Sequence, residues 1–245
     1  EDIGPETLLV CELSCHQLEY IHVDPHISVL LNIHEEHLDH YGTMERYVHS
    51  KQQVYLHQRP EDLLFCGLEV LPEDGTCQAR IYTVTDHDLA LEQDMAPEQS
   101  TVLGRDTGID VRMEGSTIHF NGCTYQIPVD DIHLLGHHNH IDIAFDYAVC
   151  HTLGLSDKEF DTALRTYHPL PHRLNLIGKR DGVRYYDDSI STICETTIQA
   201  LKSIPSVGSV LIGGMDRGIE YDELIQFLST DSVPHIILMA ATGKR

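Results

Sequence analysis

Long apolar runs are missing from this 245-residue sequence. A helix that crosses a bilayer needs roughly 20 consecutive apolar residues, and the longest runs here, such as residues 236–241, are far shorter. The sequence opens on Glu1 and Asp2, which is not the basic start of a secretory signal peptide. We therefore expect a soluble, cytoplasmic protein without membrane insertion.

Positive charge is also scarce. Lys and Arg total 16 against 39 Asp and Glu, which gives a formal net charge of −23. Such a field repels nucleic acids and anionic membranes, so we expect neither as a partner. An anionic substrate must instead be held by a few local Arg or Lys side chains, or by bound metal cations.

Two sequence motifs are absent, one formed by cysteines and one rich in glycine. The seven cysteines form no Cys-x-x-Cys pair, which argues against a disulfide framework and against a zinc ribbon, so we interpret them as reduced thiols. No Gly-x-x-x-x-Gly-Lys-Ser/Thr run occurs, and the chain therefore lacks the loop that cradles phosphates in many ATP-binding proteins.

The first part of the chain shows an α/β pattern. A helix is predicted over residues 44–57, capped by Thr43, and another over residues 138–153. Ser156 and Glu159 have capping-box spacing at the start of the next helix, and Asn121-Gly122 predicts a hairpin turn. Short apolar runs predict strands at residues 7–13, 27–33, 63–66 and 81–84.

Pro169 and Pro171 form the best candidate domain boundary, because two prolines in three residues cannot continue a helix. We therefore predict domains at residues 1–170 and 171–245. Beyond the prolines the pattern reads strand, helix, strand, helix, strand, which opens a doubly wound parallel sheet. The predicted elements are residues 183–187, 192–204, 210–213, 222–228 and 235–241.

Reactive residue types follow several predicted strands, where parallel sheets bind ligands. Glu12, His37 and Asp188 each occupy such a position, although a solvated strand end explains any one of them. His34 and His37 are three apart, whereas a zinc-protease helix needs histidines four apart. A magnesium site with Glu12 and His37 as ligands fits better.

Other residues have ordinary readings when taken singly. Lys51 is interpretable as a surface lysine of its helix, and Asn139 as a helix cap. Gly213-Gly214 is interpretable as a tight turn.

The order of the motifs is more informative, and it resembles the Mur ligase family along the whole chain. The residues that carry the resemblance are segments 12–18 (Glu-Leu-Ser-Cys-His-Gln-Leu), 32–39 (Asn-Ile-His-Glu-Glu-His-Leu-Asp), 136–139 (Gly-His-His-Asn), 171–173 (Pro-His-Arg), 187–189 (Asp-Asp-Ser) and 213–218 (Gly-Gly-Met-Asp-Arg-Gly).

The resemblance implies a fold and a reaction. The fold would be a parallel-sheet, P-loop-type central ATPase domain with its N-terminal part missing, followed by a truncated Rossmann-like C-terminal domain. The reaction would use ATP to form an amide through an acyl phosphate. Gln17 and the segment 170–174 point to the member that adds D-glutamate to UDP-N-acetylmuramoyl-L-alanine in peptidoglycan precursor synthesis. We expect a monomer.

Residue roles also follow from the resemblance. Glu12, His37 and a carbamylated Lys51 would hold two magnesium ions, with His37, Lys51 and Arg173 as the catalytic residues. Arg173 would reach the γ-phosphate of ATP. The other expected nucleotide-binding residues are Asn139, Asp142 and Asp188, and the expected amino-acid-binding residues are Thr192 and Arg217.

Some residues depart from the family pattern. Ile190 stands where a lysine is expected, Asp142 replaces an asparagine, and Arg217 replaces a lysine with a different hydrogen-bonding geometry. The phosphate-binding loop would precede Glu12, so we expect an internal fragment that is inactive by itself. Two alternatives stay open: another Mur or folylpolyglutamate-synthase-like amino-acid ligase, and a catalytically incomplete fragment.

Overall fold

The computed structural model describes residues 3–4, 6–86, 111–215, 219–230, 233–239 and 243. The chain divides into two compact units, residues 1–125 with 144–154 and residues 126–143 with 155–245. This division does not coincide with the predicted boundary at residue 170, which stays a prediction about the domains. Within the described residues, no helix combines the length and apolarity that crossing a bilayer requires.

A six-stranded mixed sheet forms the centre of the first unit. The first four strands are parallel, and the last two continue the sheet as antiparallel neighbours. The spatial order equals the chain order: β1 (Ile27–Leu30), β2 (Leu63–Gly67), β3 (Arg80–Asp86), β4 (Val111–Glu114), β5 (Thr117–Phe120) and β6 (Cys123–Gln126). The predicted strands near residues 27, 63 and 81 are therefore confirmed.

The predicted hairpin turn is also confirmed. Asn121 and Gly122 connect β5 to β6 with φ angles of 48° and 78°. Both values lie in the left-handed region that a two-residue hairpin turn requires, and Asn and Gly tolerate that region best.

Apolar side chains of the sheet make the core of the first unit. Leu64, Phe65 and Cys66 of β2 are fully buried in succession, as expected of a parallel strand covered on both faces. Phe65 stacks on Tyr82 of β3 with ring centroids 4.9 Å apart. Burial raises the pKa of the Cys66 thiol to about 12, so this cysteine stays protonated and acts as a core residue.

Three helices of the first unit carry the candidate site: α1 (Cys15–Leu18), α2 (Leu38–Tyr41) and α3 (Met44–Gln52). Thr43 caps α3 as predicted, because its hydroxyl accepts a hydrogen bond from the Arg46 amide at 3.3 Å. The helix is shorter than the predicted span of residues 44–57. A short 3₁₀ helix, Leu68–Val70, follows β2.

The strand predicted at residues 7–13 is wrong. This segment is irregular, and the side chains of Leu8, Leu9 and Val10 are exposed. No described strand pairs with the segment, and an apolar run without a ladder partner leaves its backbone groups to water.

One helix contributes residues to both units, since residues up to 143 belong to the second unit and residues 144–154 to the first. This helix, α4 (His137–Thr152), confirms the predicted helix at residues 138–153. The predicted capping box opens α5 (Asp157–Thr166), where Ser156 and Glu159 satisfy each other's amides. The remaining elements are β7 (Asn175–Arg180), β8 (Val183–Asp187), α6 (Cys194–Ser203), β9 (Ser209–Gly213), α7 (Asp222–Thr230) and β10 (His235–Met239).

The strands of the second unit form two small sheets. β9 and β10 are parallel, as predicted. The predicted strand at residues 183–187 is present as β8, but it pairs antiparallel with β7 and does not join β9 and β10. The reason lies in the turn: Asp181 and Gly182, with φ angles of 51° and 83°, form a two-residue hairpin that pairs β8 with the preceding strand.

Candidate functional site

Glu12 lies in the irregular segment ahead of α1 and not at a strand end. Its side chain is exposed, and its carboxylate makes no hydrogen bond or ion pair with the described part of the chain. The α1 start is fixed by a capping box, in which Gln17 Oε1 accepts from the Ser14 amide at 2.9 Å. Glu12 is three residues before Cys15, so their Cα atoms are at most about 11 Å apart.

The α1 segment is attached to α3 by a buried hydrogen bond. Ser50 Oγ donates to the Cys15 carbonyl oxygen at 2.6 Å, and the Tyr41 hydroxyl lies 3.3 Å from Ser50 Oγ. Ser50 and Tyr41 are both buried, so water does not compete for these bonds. This bond packs α3, the helix that carries Lys51, against the segment that follows Glu12.

His37 and Lys51 meet at one aromatic ring. The His37 and Tyr47 ring centroids are 6.0 Å apart, and Lys51 Nζ lies 5.2 Å from the Tyr47 ring centroid. Burial raises the pKa of Tyr47 to about 12, so its hydroxyl is neutral at physiological pH. The structure thus places two of the three predicted metal ligands around the Tyr47 ring, while Glu12 lies in the segment ahead of α1. Their roles as ligands and catalytic residues stay predictions.

The backbone of His37 is unusual. Its φ of 56° is left-handed, and its side chain makes no cap hydrogen bond to α2. A non-glycine residue in this region costs of order 1–3 kcal/mol, and such residues cluster at functional sites. His37 Nε2 lies 3.6 Å from Glu36 Oε2, and that carboxylate increases the local negative potential.

The chemistry of these donors decides whether they fit magnesium. Glu12 offers a free, exposed carboxylate, the type of oxygen ligand that magnesium prefers. An ammonium group has no lone pair and repels cations, so Lys51 fits the set only as a carbamate, which is an anionic oxygen ligand. With that modification, the donor atoms of Glu12, His37 and Lys51 fit a magnesium ion chemically.

In the second unit, Asn139 stabilises the loop before α4. Its Nδ2 donates to the Leu135 carbonyl oxygen at 2.6 Å, and its backbone amide donates to the Gly136 carbonyl oxygen at 3.2 Å. Gly136 has a φ of 96°, and a Cβ atom there would lie 2.0 Å from Ser203 Oγ of α6. Only glycine therefore fits this position without movement of α6.

The neighbouring histidine was not predicted as a site residue. Burial lowers the pKa of His138, which the carboxylate of Asp188 partly opposes and the charge of Arg173 reinforces. Its Nδ1 is buried and has no hydrogen-bond partner within the described residues, while its Nε2 lies 3.0 Å from Asn139 Nδ2. The electrostatic coupling shows that His138, Arg173 and Asp188 share one neighbourhood. The paired histidines before Asn139 were the only signal in the sequence.

Arg173 occupies a tight turn. The residues on either side, His172 and Leu174, have left-handed φ angles of 70° and 42°. The Arg173 side chain is exposed, and its guanidinium makes no hydrogen bond or ion pair with the described residues. An unneutralised guanidinium is well suited to bind phosphate oxygens.

Two aspartates, the last residue of β8 and the residue after it, hold this turn. Asp188 accepts hydrogen bonds from the Leu174 amide at 2.8 Å and from Ser191 Oγ at 2.5 Å. Asp187 Oδ2 lies 2.7 Å from His172 Nδ1. That hydrogen bond, with further bonds from Ser189, lowers the pKa of Asp187 to about 2.

The other predicted residues are less defined by the structure. Asp142 is half-buried on α4 of the same unit, and Thr192 is exposed just ahead of α6. Arg217 lies outside the described residues. The structure therefore groups Asn139, Arg173 and Asp188 around His138, and the binding roles of all these residues stay predictions.

Each cluster suggests a type of ligand. The first unit presents oxygen, nitrogen and potential carbamate donors, which suit a cation, and the second presents a free guanidinium, which suits an anion. These are the two ligand types that an enzyme working on a metal–nucleotide complex must bind.

Comparison with known proteins identifies the family of the chain. The family description "Mur ligase middle domain" matches residues 4–145. The UDP-N-acetylmuramoylalanine–D-glutamate ligase of Symbiobacterium thermophilum is 29% identical over 100% of this chain and 52% of its own length. The enzyme of the same name from Staphylococcus aureus is 30% identical over 93% of this chain and 47% of its own length. The chain thus spans about half the length of these curated relatives.

A solved structure shows the same fold. The MurF ligase of Thermotoga maritima in complex with ADP matches with a TM-score of 0.66 and 19% identity, over 93% of this chain and 51% of that chain. The fold class predicted from the sequence is confirmed. The Mur ligase middle-domain description covers more than half of the 245 residues, and the chain therefore belongs to the Mur ligase family.

Proposed function

We propose that this protein is an ATP-dependent ligase that joins D-glutamate to UDP-N-acetylmuramoyl-L-alanine in peptidoglycan precursor synthesis. The observation that carries the proposal is the 29% identity along the entire chain to a relative named for that reaction. Family membership supports the reaction class, and the curated names support the choice of substrates. We place the activity in the cytoplasm and treat the protein as a monomer.

The reaction has two steps. The L-alanine carboxylate attacks the γ-phosphorus of ATP, forming an acyl phosphate and releasing ADP. The amine of D-glutamate then attacks the acyl carbonyl, loses a proton, and expels inorganic phosphate as the amide forms. Both steps bring negatively charged groups together, so positive charge must be placed at the reacting atoms.

The second unit would contact ATP. The exposed guanidinium of Arg173 has no partner within the described residues, and we assign it to charge that develops on the transferred phosphoryl group. The turn that carries it is held by hydrogen bonds from Leu174 and Ser191 to Asp188. Asn139, Asp142 and Asp188 would contact the nucleotide, whereas Thr192 and Arg217 would contact D-glutamate.

The first unit would hold the metal. Glu12, His37 and carbamylated Lys51 would bind two magnesium ions, which neutralise phosphate charge and orient the reacting oxygens. Carbamylation requires Lys51 to lose its proton and react with carbon dioxide, giving a carboxylate in place of an ammonium. Residues 1–170 would then form the central ATP- and magnesium-binding domain, and residues 171–245 would belong to the amino-acid-binding domain.

An amino-acid-dependent phosphate-release assay tests the proposal. The full-length protein is given ATP, magnesium and UDP-N-acetylmuramoyl-L-alanine, and then D-glutamate, L-glutamate, L-lysine or diaminopimelate in separate reactions. We expect phosphate release with D-glutamate and little with the others. Release that depends on a different amino acid, or on none, would contradict the substrate assignment.

One residue favours a second candidate, a family ligase that adds a different amino acid. Ile190 stands where the resemblance expects a lysine, and its side chain is 45% exposed. An apolar side chain cannot pair with a substrate carboxylate. The same assay separates the candidates, because this alternative predicts the highest rate with an amino acid other than D-glutamate.

A further inference from the structure

Three side chains near the proposed magnesium ligands form a cluster of a different chemical kind. Cys15, His16 and His37 each offer one donor atom, and these atoms all lie within 4.8 Å of one another. Cys15 Sγ is 3.5 Å from His16 Nδ1. The His16 and His37 ring centroids are 4.8 Å apart, with their planes at 83°.

The backbone holds this cluster in place. The Cys15 carbonyl oxygen accepts the buried hydrogen bond from Ser50, and Cys15 packs with Tyr41 and Tyr47 in a small core. His37 has a left-handed backbone, a conformation that the surrounding structure must enforce. The hydrogen bond between Cys15 Sγ and His16 Nδ1 already holds a ring nitrogen against the thiol, so two potential ligand atoms lie side by side.

The donor types identify the class of cation. A thiolate with two imidazoles suits zinc, whereas magnesium takes oxygen ligands. Zinc bonds of about 2.3 Å to sulfur and about 2.0–2.1 Å to nitrogen place tetrahedral ligand atoms about 3.3–3.6 Å apart. The three donor atoms lie within 4.8 Å of one another. Side-chain rotations that move each atom by roughly 1 Å bring them to the spacing of a zinc site. Three protein ligands leave a fourth position open.

We propose that Cys15, His16 and His37 form a binding site for a zinc ion. His40 is near but engaged, because its Nε2 lies 2.9 Å from Glu19 Oε2. The carboxylates of Glu19 and Glu36 add negative potential that attracts a cation. Deprotonated Cys15 would supply the sulfur ligand, and the thiol proton would leave to water.

The site has a regulatory consequence that rests on the proposed function. His37 belongs both to this cluster and to the proposed magnesium ligands, and one imidazole cannot serve both metals in the same arrangement. Zinc bound to Cys15 and His16 would therefore withdraw His37 from the magnesium set. In the intact enzyme, zinc becomes an inhibitor that acts through Cys15.

Cobalt substitution tests the site without any activity measurement. Co²⁺ is titrated into the reduced full-length protein in the absence of ATP and substrates, and the sulfur-to-cobalt charge-transfer absorption is recorded. The test variant is Cys15→Ser, and the matched control is Cys11→Ser, because Cys11 is an exposed cysteine four residues earlier. We expect the absorption in the unmodified chain and in Cys11→Ser, and its loss in Cys15→Ser.

Zinc affinity, measured by competition with a chromophoric chelator, gives a second readout. Loss of an outer-shell partner alone costs about 10–100-fold in metal affinity, so we expect Cys15→Ser to weaken zinc binding by at least about 100-fold. His16→Gln keeps the thiol and alters a half-buried residue. His16→Gln should weaken zinc binding by a similar factor. If Cys15→Ser does not fold, the result for His16→Gln decides whether the zinc site exists.

The results that would contradict the zinc site differ from those that would contradict the ligase proposal. A charge-transfer band of equal strength in folded Cys15→Ser, or no band in the unmodified chain at stoichiometric cobalt, would overturn the zinc site whatever the enzyme does. In the full-length enzyme, zinc inhibition that persists unchanged in Cys15→Ser would overturn the regulatory role. Absence of ligase activity would sink the proposed function and leave the cobalt result standing.

Discussion

The two polar clusters of this molecule differ in the charge of the ligand that they suit. In the first unit, the Tyr47 ring gathers a histidine and a lysine, and a free carboxylate lies in the adjoining segment. In the second unit, a guanidinium without a described partner shares the neighbourhood of a half-buried histidine and an aspartate. The donor atoms of the first cluster suit a cation, and the guanidinium of the second suits an anion. Magnesium and a nucleotide phosphate would supply one to each.

The largest effect is expected from the lysine of the first cluster. In the full-length enzyme, Lys51→Ala should reduce turnover by at least about 10³-fold, the scale on which preorganised charge acts in phosphoryl transfer. Millimolar formate or acetate should restore part of the activity, since it replaces the carbamate oxygen. Lys158→Ala, at an exposed lysine of α5, is the control. Full activity in Lys51→Ala would remove the carbamate from the mechanism.

The arginine of the second cluster should rank next. Arg173→Ala is expected to lower ATP-dependent turnover by about 10²–10³-fold, because the transferred phosphoryl group loses a charged donor. The matched control is Arg180→Ala, at an exposed arginine whose Nε lies 3.7 Å from Asp181 Oδ2. Steady-state kinetics with varied ATP measures both. Equal effects of the two substitutions would argue for a general loss of charge and against a specific contact.

These predictions rest on residues whose identities can be read from the sequence. Their proximity to one another cannot be read from it. Thr43, Ser156 and the Asn121-Gly122 turn act through neighbours a few positions away, and they were predictable for that reason. His37 and Lys51 share the Tyr47 ring, and that arrangement depends on how the segment ahead of α2 packs on α3. No local pattern encodes that contact.

Two errors in the fold have a similar cause. Residues 7–13 have the composition of a buried strand, but strand formation requires a partner, and none of the described strands pairs with them. β7 was missed because Gly178, Lys179 and Arg180 interrupt its apolar pattern, although Asp181-Gly182 is itself a hairpin signal. His138 was overlooked because its burial arises only from tertiary structure.

The loop before α4, which belongs to the second cluster, can be tested through two glycines that flank this helix. Gly136 and Gly154 both have positive φ angles, 96° and 87°, but only at Gly136 would a Cβ atom collide, with Ser203 Oγ at 2.0 Å. Gly136→Ala should therefore lower the free energy of unfolding by about 1–3 kcal/mol more than Gly154→Ala does. Urea unfolding of the two variants measures the difference. Equal losses would show that the loop before α4 adapts without strain.

A smaller effect is expected at the α5 cap. Ser156→Ala removes the hydroxyl that accepts from the Glu159 amide at 3.4 Å and donates to Glu159 Oε2 at 2.6 Å. The substitution should therefore lower the free energy of unfolding by about 1 kcal/mol. Thr162→Ala, at an exposed site of the same helix, is the comparison. Both enzymes should keep their turnover, since the cap lies in neither cluster. A loss of activity in Ser156→Ala at full folding would contradict that separation.

The pH dependence of stability should reveal His138. Its pKa is lowered in the folded state by burial, so the unfolded chain binds more protons below its ordinary value near 6.5, and stability falls as the pH drops through that range. His138→Gln should show a shallower fall in Tm between neutral and mildly acidic pH. His235→Gln, at an exposed histidine of the same unit, should follow the unmodified protein. Identical slopes in all three would show that His138 is not the buried titrating group.

The most direct test of the metal cluster concerns Glu12, whose free carboxylate is its simplest feature. Mn²⁺ serves as the magnesium probe, and free Mn²⁺ is counted by electron paramagnetic resonance in the full-length enzyme with ATP. Glu12→Gln should weaken binding by at least about 10–100-fold, while Glu6→Gln, at an exposed glutamate six residues earlier, should not. Unchanged Mn²⁺ affinity in Glu12→Gln would contradict the assignment of this cluster as the magnesium site.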